Sequence, residues 1–310
     1  MQTGREIYEL VAQLFPLSRS ITGDGVRETL AILARDLPVT VHEVPSGTAV
    51  LDWTVPPEWN LREAWIARAD GTRIVDAADN NLHVLGYSES VHRRMPLTEL
   101  REHVHTLPDR PAWIPYRTSY YSPAWGFCLA DATAAALDEG EYEVCIDATL
   151  DPNGSLTYGE LVLPGATDRE ILVSTHTCHP SLANDNCSGI AIAHFLARLL
   201  ATRERRHTFR FLFVPGTIGS IAWLAQHEDL TPRIAHGLVL TGLGDRGRVT
   251  YKRSRRANAT VDRVAEHVLR ACGDPFTIVD FSPYGYDERQ FCSPGFDLPV
   301  GRIGRSPHGE

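Results

Sequence analysis

The run Ile171-Leu172-Val173-Ser174-Thr175, followed by His176-Thr177-Cys178-His179-Pro180-Ser181-Leu182-Ala183-Asn184-Asp185-Asn186, is the stretch on which the reading of this chain turns. A short run without polar–apolar alternation is what a strand needs when both of its faces are covered, as in a parallel sheet flanked by helices. Beyond Asp185 the apolar residues Ile190, Ala193, Ala197 and Leu200 return at helical spacing. Strand, polar loop and helix therefore follow one another. In open α/β sheets, ligands gather beyond the carboxyl ends of the strands. The loop holds His176, His179 and Asp185. Zinc takes nitrogen and oxygen donors at about 2.0–2.2 Å, and an imidazole and a carboxylate from one loop supply two of them with little chain entropy to lose. Asn184 and Asn186 are suited to holding the backbone and orienting the carboxylate. The His-x-x-His spacing is equally that of two turn histidines bonded to backbone.

The same alternation extends on both sides. Residues 143–146, 160–163, 209–214 and 238–240 read as strands, and 218–224 and 261–269 as helices. Near the N-terminus, Ile7, Leu10, Val11, Leu14 and Phe15 predict one helix. Val26, Leu30, Ile32 and Leu33 predict a second, opening at Asp24 and closed by Pro38. Between about 39 and 125 the texture changes to short alternating runs, at 39–44, 73–76 and 82–85, punctuated by Gly, Pro, Asp and Asn. Trp53, Trp59, Trp65, Tyr87, Trp113, Tyr116, Tyr120, Tyr121 and Trp125 crowd this region, as the core of a small module or as a binding surface. Asp151-Pro152-Asn153-Gly154-Ser155 reads as a hairpin turn. The expected class is α/β, a mostly parallel sheet flanked by helices, with residues 1–37 and 130–310 forming the α/β unit and 38–129 a β-rich insert.

Composition narrows the function. The 310 residues are 43% hydrophobic and 22% charged, enough for a sizeable core. The net charge is −9 and the densest basic run, Lys252-Arg253-Ser254-Arg255-Arg256, is short and reads as a solvated turn, so nucleic-acid binding is not expected. No apolar window is long enough to cross a membrane, and the N-terminus lacks an apolar signal core. Cys128, Cys145, Cys178, Cys187, Cys272 and Cys292 are scattered without a Cys-x-x-Cys pair, which suits reduced thiols and a cytoplasmic setting. Cys178, beside the candidate site, is read as a packing residue. His194 reads likewise as a packing residue within its helix. Gly242-x-Gly244 lacks a dinucleotide fingerprint, and Ser181 sits in no Gly-x-Ser-x-Gly elbow.

The loop resembles the metal-binding loop of the di-zinc aminopeptidase clan, in which a His after a central strand is followed by an Asp-Asn that opens a helix. Nearly the whole chain, moreover, is similar to a bacterial aminopeptidase-like family of uncharacterised function with a small inserted domain. The matching stretches include Ser18-Arg19-Ser20-Ile21-Thr22-Gly23, Asp52-Trp53-Thr54-Val55-Pro56, Glu58-Trp59-Asn60, Asn81-Leu82-His83-Val84 and Thr118-Ser119-Tyr120-Tyr121. Trp125-Gly126-Phe127-Cys128, Thr217-Ile218-Gly219-Ser220, Asp287-Glu288-Arg289-Gln290 and Pro307-His308-Gly309-Glu310 follow. The resemblance implies a phosphorylase/hydrolase-like fold, zinc as cofactor, and a peptide or amide as substrate; it leaves a homo-oligomeric assembly open.

Carried over by residue, the resemblance makes His179, preferred over His176 because the pattern centres on Cys-His-Pro-Ser, and Asp185 the first two metal ligands, Asp185 as the bridging candidate. Asp245 stands where a further acidic ligand is expected, though it also reads as the turn residue of Gly244-Asp245-Arg246-Gly247. Glu288 is the candidate catalytic carboxylate, with an ion pair to Arg289 as its competing reading. Asp287, Arg289 and His308 are the candidate substrate-binding residues, and His308 is a second candidate base. Two departures stand against a working hydrolase. Pro215 is followed by Gly216 where the family pattern has Glu, and a glycine can neither take a proton nor bind metal. The family pattern also runs on past Pro-His-Gly-Glu to a Tyr-His-Thr-Ser segment whose His resembles the last zinc ligand. The reading is thus a metalloprotease-type hydrolase impaired at 216, or a degenerate relative, a pseudoenzyme, serving as a binding or assembly factor.

Overall fold

The computed structural model describes residues 2–306 of the chain. The run at 171–175 lies in the strand Thr167–His176, fourth in an eight-stranded sheet. The strand order is 40–45, 155–163, 207–214, 167–176, 234–240, 300–304, 249–252 and 276–279. The four strands around the centre, 207–214, 167–176, 234–240 and 300–304, run parallel. Antiparallel pairings appear toward the edges, at 40–45 with 155–163, 155–163 with 207–214, and 249–252 with 300–304.

The continuous apolar character of 171–175 has a direct cause. Leu172 and Val173 point to opposite faces, and each face is a core. Val173 packs with Leu14, Leu30, Ile190, Ala197, Phe211 and Phe213 under the helices Gln2–Leu14, Asp24–Leu33 and Gly189–Ala201. Leu172 packs with Leu212, Val214, Ile221 and Trp223 of the opposite face, beneath the helix Ile218–Gln226. Each such side chain, once fully buried, contributes about 1.5–3 kcal/mol.

A second, four-stranded antiparallel sheet runs in the order 73–76, 58–68, 141–151, 91–96. Its Ala64, Ile66, Val144 and Ile146 belong to the same apolar cluster as Leu172 and Trp223, so the two sheets share one core. The chain enters and leaves this sheet at places other than the expected limits of 38 and 129. Thr40–Pro45 pairs with 155–163 and so belongs to the large sheet, while Glu141–Asp151 pairs with 58–68 in the small one. Alternating residues announce a strand but not its partner. Asp151–Ser155 is the expected turn, with Asn153 N bonded to Asp151 Oδ1 at 2.8 Å, but it joins strands of different sheets. A Cβ at Gly154 would lie 2.2 Å from Glu58 Cβ, which leaves only glycine at that corner. Residues 82–85 are not a strand: Asn80 caps Leu82 N at 2.9 Å and starts the 3₁₀ turn Asn81–His83 instead. No described helix is long and apolar enough to cross a membrane.

Candidate metal centre

His176 is the last residue of the central strand Thr167–His176, and Asp185 lies with a non-helical backbone in the kinked turn Ala183–Ser188 that leads into the helix Gly189–Ala201. Asn186 fixes this turn to the sheet. Its buried Nδ2 donates to Thr175 Oγ1 at 2.8 Å and to Leu240 O at 3.2 Å, reaching the ends of two adjacent strands. Its Oδ1 accepts from Gly189 N and Gly242 N, each at 3.2 Å. Two of the resembling motifs hold the loop from the other side. The buried Arg19 donates to His179 O at 3.1 Å and to Cys187 Sγ at 2.9 Å. Asn81 Nδ2 donates to Ser181 Oγ at 3.0 Å.

His176, His179 and Asp185 converge, with one donor atom from each lying within 4.8 Å of the others. His176 Nε2 is 2.7 Å from Asp185 Oδ1, and His179 Nδ1 is 3.3 Å from the same oxygen. The second carboxylate oxygen accepts from the Tyr286 hydroxyl at 3.0 Å, and the Tyr286 ring stacks on His176 at 4.8 Å. Tyr116 packs on His179 at 4.8 Å and shares a hydrogen bond of 2.8 Å with the Tyr120 hydroxyl. Burial works against charge on Asp185, but His176 and His179 outweigh it and hold the carboxyl far below the usual range. Burial likewise opposes protonation of His179, yet the adjacent Cys178 and Asp185 raise it well above an ordinary histidine. For His176 burial prevails and lowers it. Without metal, then, the trio holds an ion pair between His179 and Asp185 beside a neutral His176. Donors around a tetrahedral zinc at about 2.1 Å stand roughly 3.4 Å apart. The His179–Asp185 spacing of 3.3 Å already fits, and the His176–Asp185 hydrogen bond at 2.7 Å must open slightly to admit an ion. Two imidazoles and one carboxylate are a donor set that zinc takes.

The remaining expected residues are placed differently. Asp245 is not among the three converging groups: its Oδ2 accepts from Asn184 Nδ2 at 2.7 Å and its carboxyl binds the turn amide of Gly247, so in this geometry it serves as a turn residue. Glu288 is fully buried and pairs not with Arg289 but with Lys252, at 2.9 Å, while its Oε2 accepts from Tyr286 N at 3.1 Å. Lys252, expected in a solvated turn, is itself buried and also donates to Ser282 O and Tyr284 O. Asp287 is fully buried; Oδ1 accepts from Ser220 Oγ at 2.9 Å, and Oδ2 has no partner among the described residues. Burial pushes its carboxyl up to about 7. A Cβ at Gly216 would lie 3.5 and 3.6 Å from the Asp287 oxygens and 3.1 Å from His176 Cβ. His308 lies outside the described residues. Cys178 is buried and its thiol donates to Gly216 O at 3.6 Å, so beyond the packing role expected of it, it makes a polar contact beside His179. The residues passed over in the sequence are His176 as an equal member of the trio, signalled by its place at the tip of the central strand, and Tyr286, for which periodicity gives no signal.

A family model described as a domain of unknown function (DUF4910) matches residues 8–310. The chain belongs to that family. A Clostridium acetobutylicum protein, provisionally named for polysaccharide biosynthesis with an aminopeptidase-like domain, is 48% identical over 308 residues, 99% of this chain and 71% of its own. The crystal structure of a provisionally assigned peptidase from that organism superposes with a TM-score of 0.98 at 48% identity, over 99% of this chain and 73% of the other. A zinc aminopeptidase from Bacillus subtilis shares the fold, with a TM-score of 0.65 at 13% identity, over 98% of this chain and 86% of its own. The aminopeptidase-like architecture expected from the motifs is thus the architecture of this chain.

Proposed function

We propose that the chain is a zinc-dependent hydrolase of a peptide or amide bond, with His176, His179 and Asp185 holding the metal. The observation that carries this is the convergence of their donor atoms within 4.8 Å at the carboxyl end of the central strand. Bound zinc supplies a Lewis acid and lowers the pKa of a coordinated water. Tyr286 keeps the second Asp185 oxygen occupied and turns the first toward the two imidazoles. Asp287, with a free oxygen and a carboxyl raised to about 7, is better suited than Glu288 to exchange a proton near neutrality. Glu288 is bound to Lys252, and its role in this reading is to anchor the segment that carries Tyr286 and Asp287.

Elemental analysis of the purified protein, with an aminoacyl-anilide assay, tests this. About one zinc per chain is expected, lost in His176→Ala and Asp185→Asn. A wild-type protein that takes up no zinc would refute it.

Gly216 favours a second reading. Without a glutamate there, the site would retain ligands but lose roughly 10²–10⁴-fold in rate, leaving a protein that binds its amide ligand without turning it over.

A further inference from the structure

Beside the trio lies a cavity of about 300 Å³ whose wall includes Trp53, Tyr120, Tyr121, Gly216, Thr217 and Arg289. That size is at the lower end for small-molecule sites. Two contacts join it to the candidate metal centre. Gly216, on its wall, approaches His176 so closely that an added Cβ would stand 3.1 Å from His176 Cβ. Tyr120, on another side, bonds through its hydroxyl to Tyr116, whose ring packs on His179.

The chemistry of the wall is lopsided. Arg289 is the one charged side chain among the described residues that line it, and no carboxylate faces it there. Arg289 makes no ion pair among the described residues, and its Nε is buried without a hydrogen-bond partner. Arg210, by contrast, is matched by Glu160 and Glu170, and Arg19 by backbone carbonyls and Cys187. Arg289 is half-buried, with Nε shut off from solvent and its donors unmatched by any carboxylate among the described residues, and its planar fork fits a carboxylate with two parallel hydrogen bonds. The same wall includes Trp53 and Tyr121, their ring centroids 5.4 Å apart; they are 46% and 48% exposed and so free to cover a ligand. Among the described residues no second cation lines the cavity, and buried Asp287 adjoins Gly216, which disfavours a dianionic phosphate and leaves a single carboxylate as the matching group.

We propose that this cavity is a recognition subsite for a small amide-linked acid, in which Arg289 binds the free carboxylate and Trp53 and Tyr121 cover the apolar body. Calling the ligand a substrate rests on the hydrolase reading above; the binding itself does not. The amide of such a molecule would lie between the carboxylate at Arg289 and the His176 side of Gly216. Small N-acyl amino acids and dipeptides carry the required groups, whereas the interior of a polypeptide does not.

The test compares N-acetyl-L-phenylalanine with N-acetyl-L-phenylalaninamide, which keeps the shape and loses the charge, by calorimetric titration of the protein as purified. The acid is expected to bind at least tenfold tighter than the amide. Arg289→Met should lower acid affinity at least tenfold and leave the amide unchanged. Trp53→Ala should weaken both. Arg289→Gln serves where Arg289→Met melts early by circular dichroism. Equal affinities for acid and amide, no binding of either, an Arg289 variant that binds the acid as wild type does, or inorganic phosphate binding as tightly as the acid each overturns the proposal. Zinc uptake measured on the same preparation separates the two ideas. Loss of acid preference with zinc uptake intact sinks the subsite alone, and acid preference without zinc uptake sinks the hydrolase alone.

Discussion

Asp287→Asn is expected to change the slope of stability against pH. The wild-type carboxyl is fully buried, binds Ser220 through one oxygen, has no partner for the other among the described residues, and is raised from 3.8 to about 7 by burial. Its folded pKa lies above its unfolded one, so between those values the folded chain keeps a proton that the unfolded chain has released. The associated stability is complete below about pH 4 and is lost as pH climbs to about 7, at about 1.4 kcal/mol per unit. Between pH 5 and pH 8 two units of that window are crossed, so wild type loses about 2.6 kcal/mol through this group alone. Asparagine binds no proton in that range. At pH 5 it replaces a neutral acid of the same shape with one unpartnered polar group for another, and the two proteins should agree to within about 1 kcal/mol. Urea melts followed by tryptophan emission, in a chelator to remove metal linkage, give both curves. Because every other titrating group is common to the two chains, their difference isolates Asp287. Parallel curves from pH 5 to pH 8 would refute the argument.

The other expectations concern the same corner of the molecule. Glu288→Gln strands Lys252 as a buried, unmatched cation and should cost about 3–5 kcal/mol in urea melts; a loss under 1 kcal/mol would mean the pair is not buried as described. His179, held protonated well above its ordinary pKa, must release that proton to ligate, so zinc affinity should climb nearly tenfold per pH unit from pH 6 upward. Calorimetry in two buffers of different ionisation enthalpy counts the protons released; an affinity flat with pH would remove His179 from the ligand set. Asn186→Ala frees the turn from the ends of two strands and should cost about 2–4 kcal/mol by urea melt and weaken zinc binding; zinc binding unchanged would show that Asp185 is positioned without it.

What could be read in the sequence was whatever depends on period or local order. The run at 171–175 announced a strand covered on both faces because Leu172 and Val173 each have a core to enter. The helices at 189–201 and 218–226 were visible for the same reason. Long-range pairing was not visible. Nothing local in Thr40–Pro45 says that it joins 155–163, or in Glu141–Asp151 that it joins 58–68. At the site, His179 and Asp185 were legible because they share one loop, but Tyr286 is about a hundred positions away and meets Asp185 only through the fold. Glu288 and Asp287 show the limit sharply. They are adjacent carboxylates of similar type, and only tertiary placement gives one a lysine and leaves the other with a free oxygen.

That free oxygen bears on Gly216. A glutamate at 216 would begin its side chain within 3.6 Å of both Asp287 oxygens, and where its carboxyl meets that of Asp287 the two would share one proton instead of both ionising. In this chain that second carboxyl is missing, and Asp287 keeps its proton chiefly through burial. No left-handed backbone angle demands glycine there, and a Cβ would need His176 Cβ to give by a few tenths of an ångström from 3.1 Å. What the glycine removes is therefore chemical: a second carboxyl with which Asp287 could divide acid and base roles. Gly216→Glu in the zinc-loaded protein should raise amide hydrolysis by roughly 10²-fold or more, with a pH–rate profile that reports the pair. Adding Asp287→Asn should flatten one limb of that profile without releasing zinc. A folded, zinc-loaded Gly216→Glu protein that remains inert would mean that the missing carboxylate is not what separates this chain from a hydrolase, and the binding reading would then stand in its place.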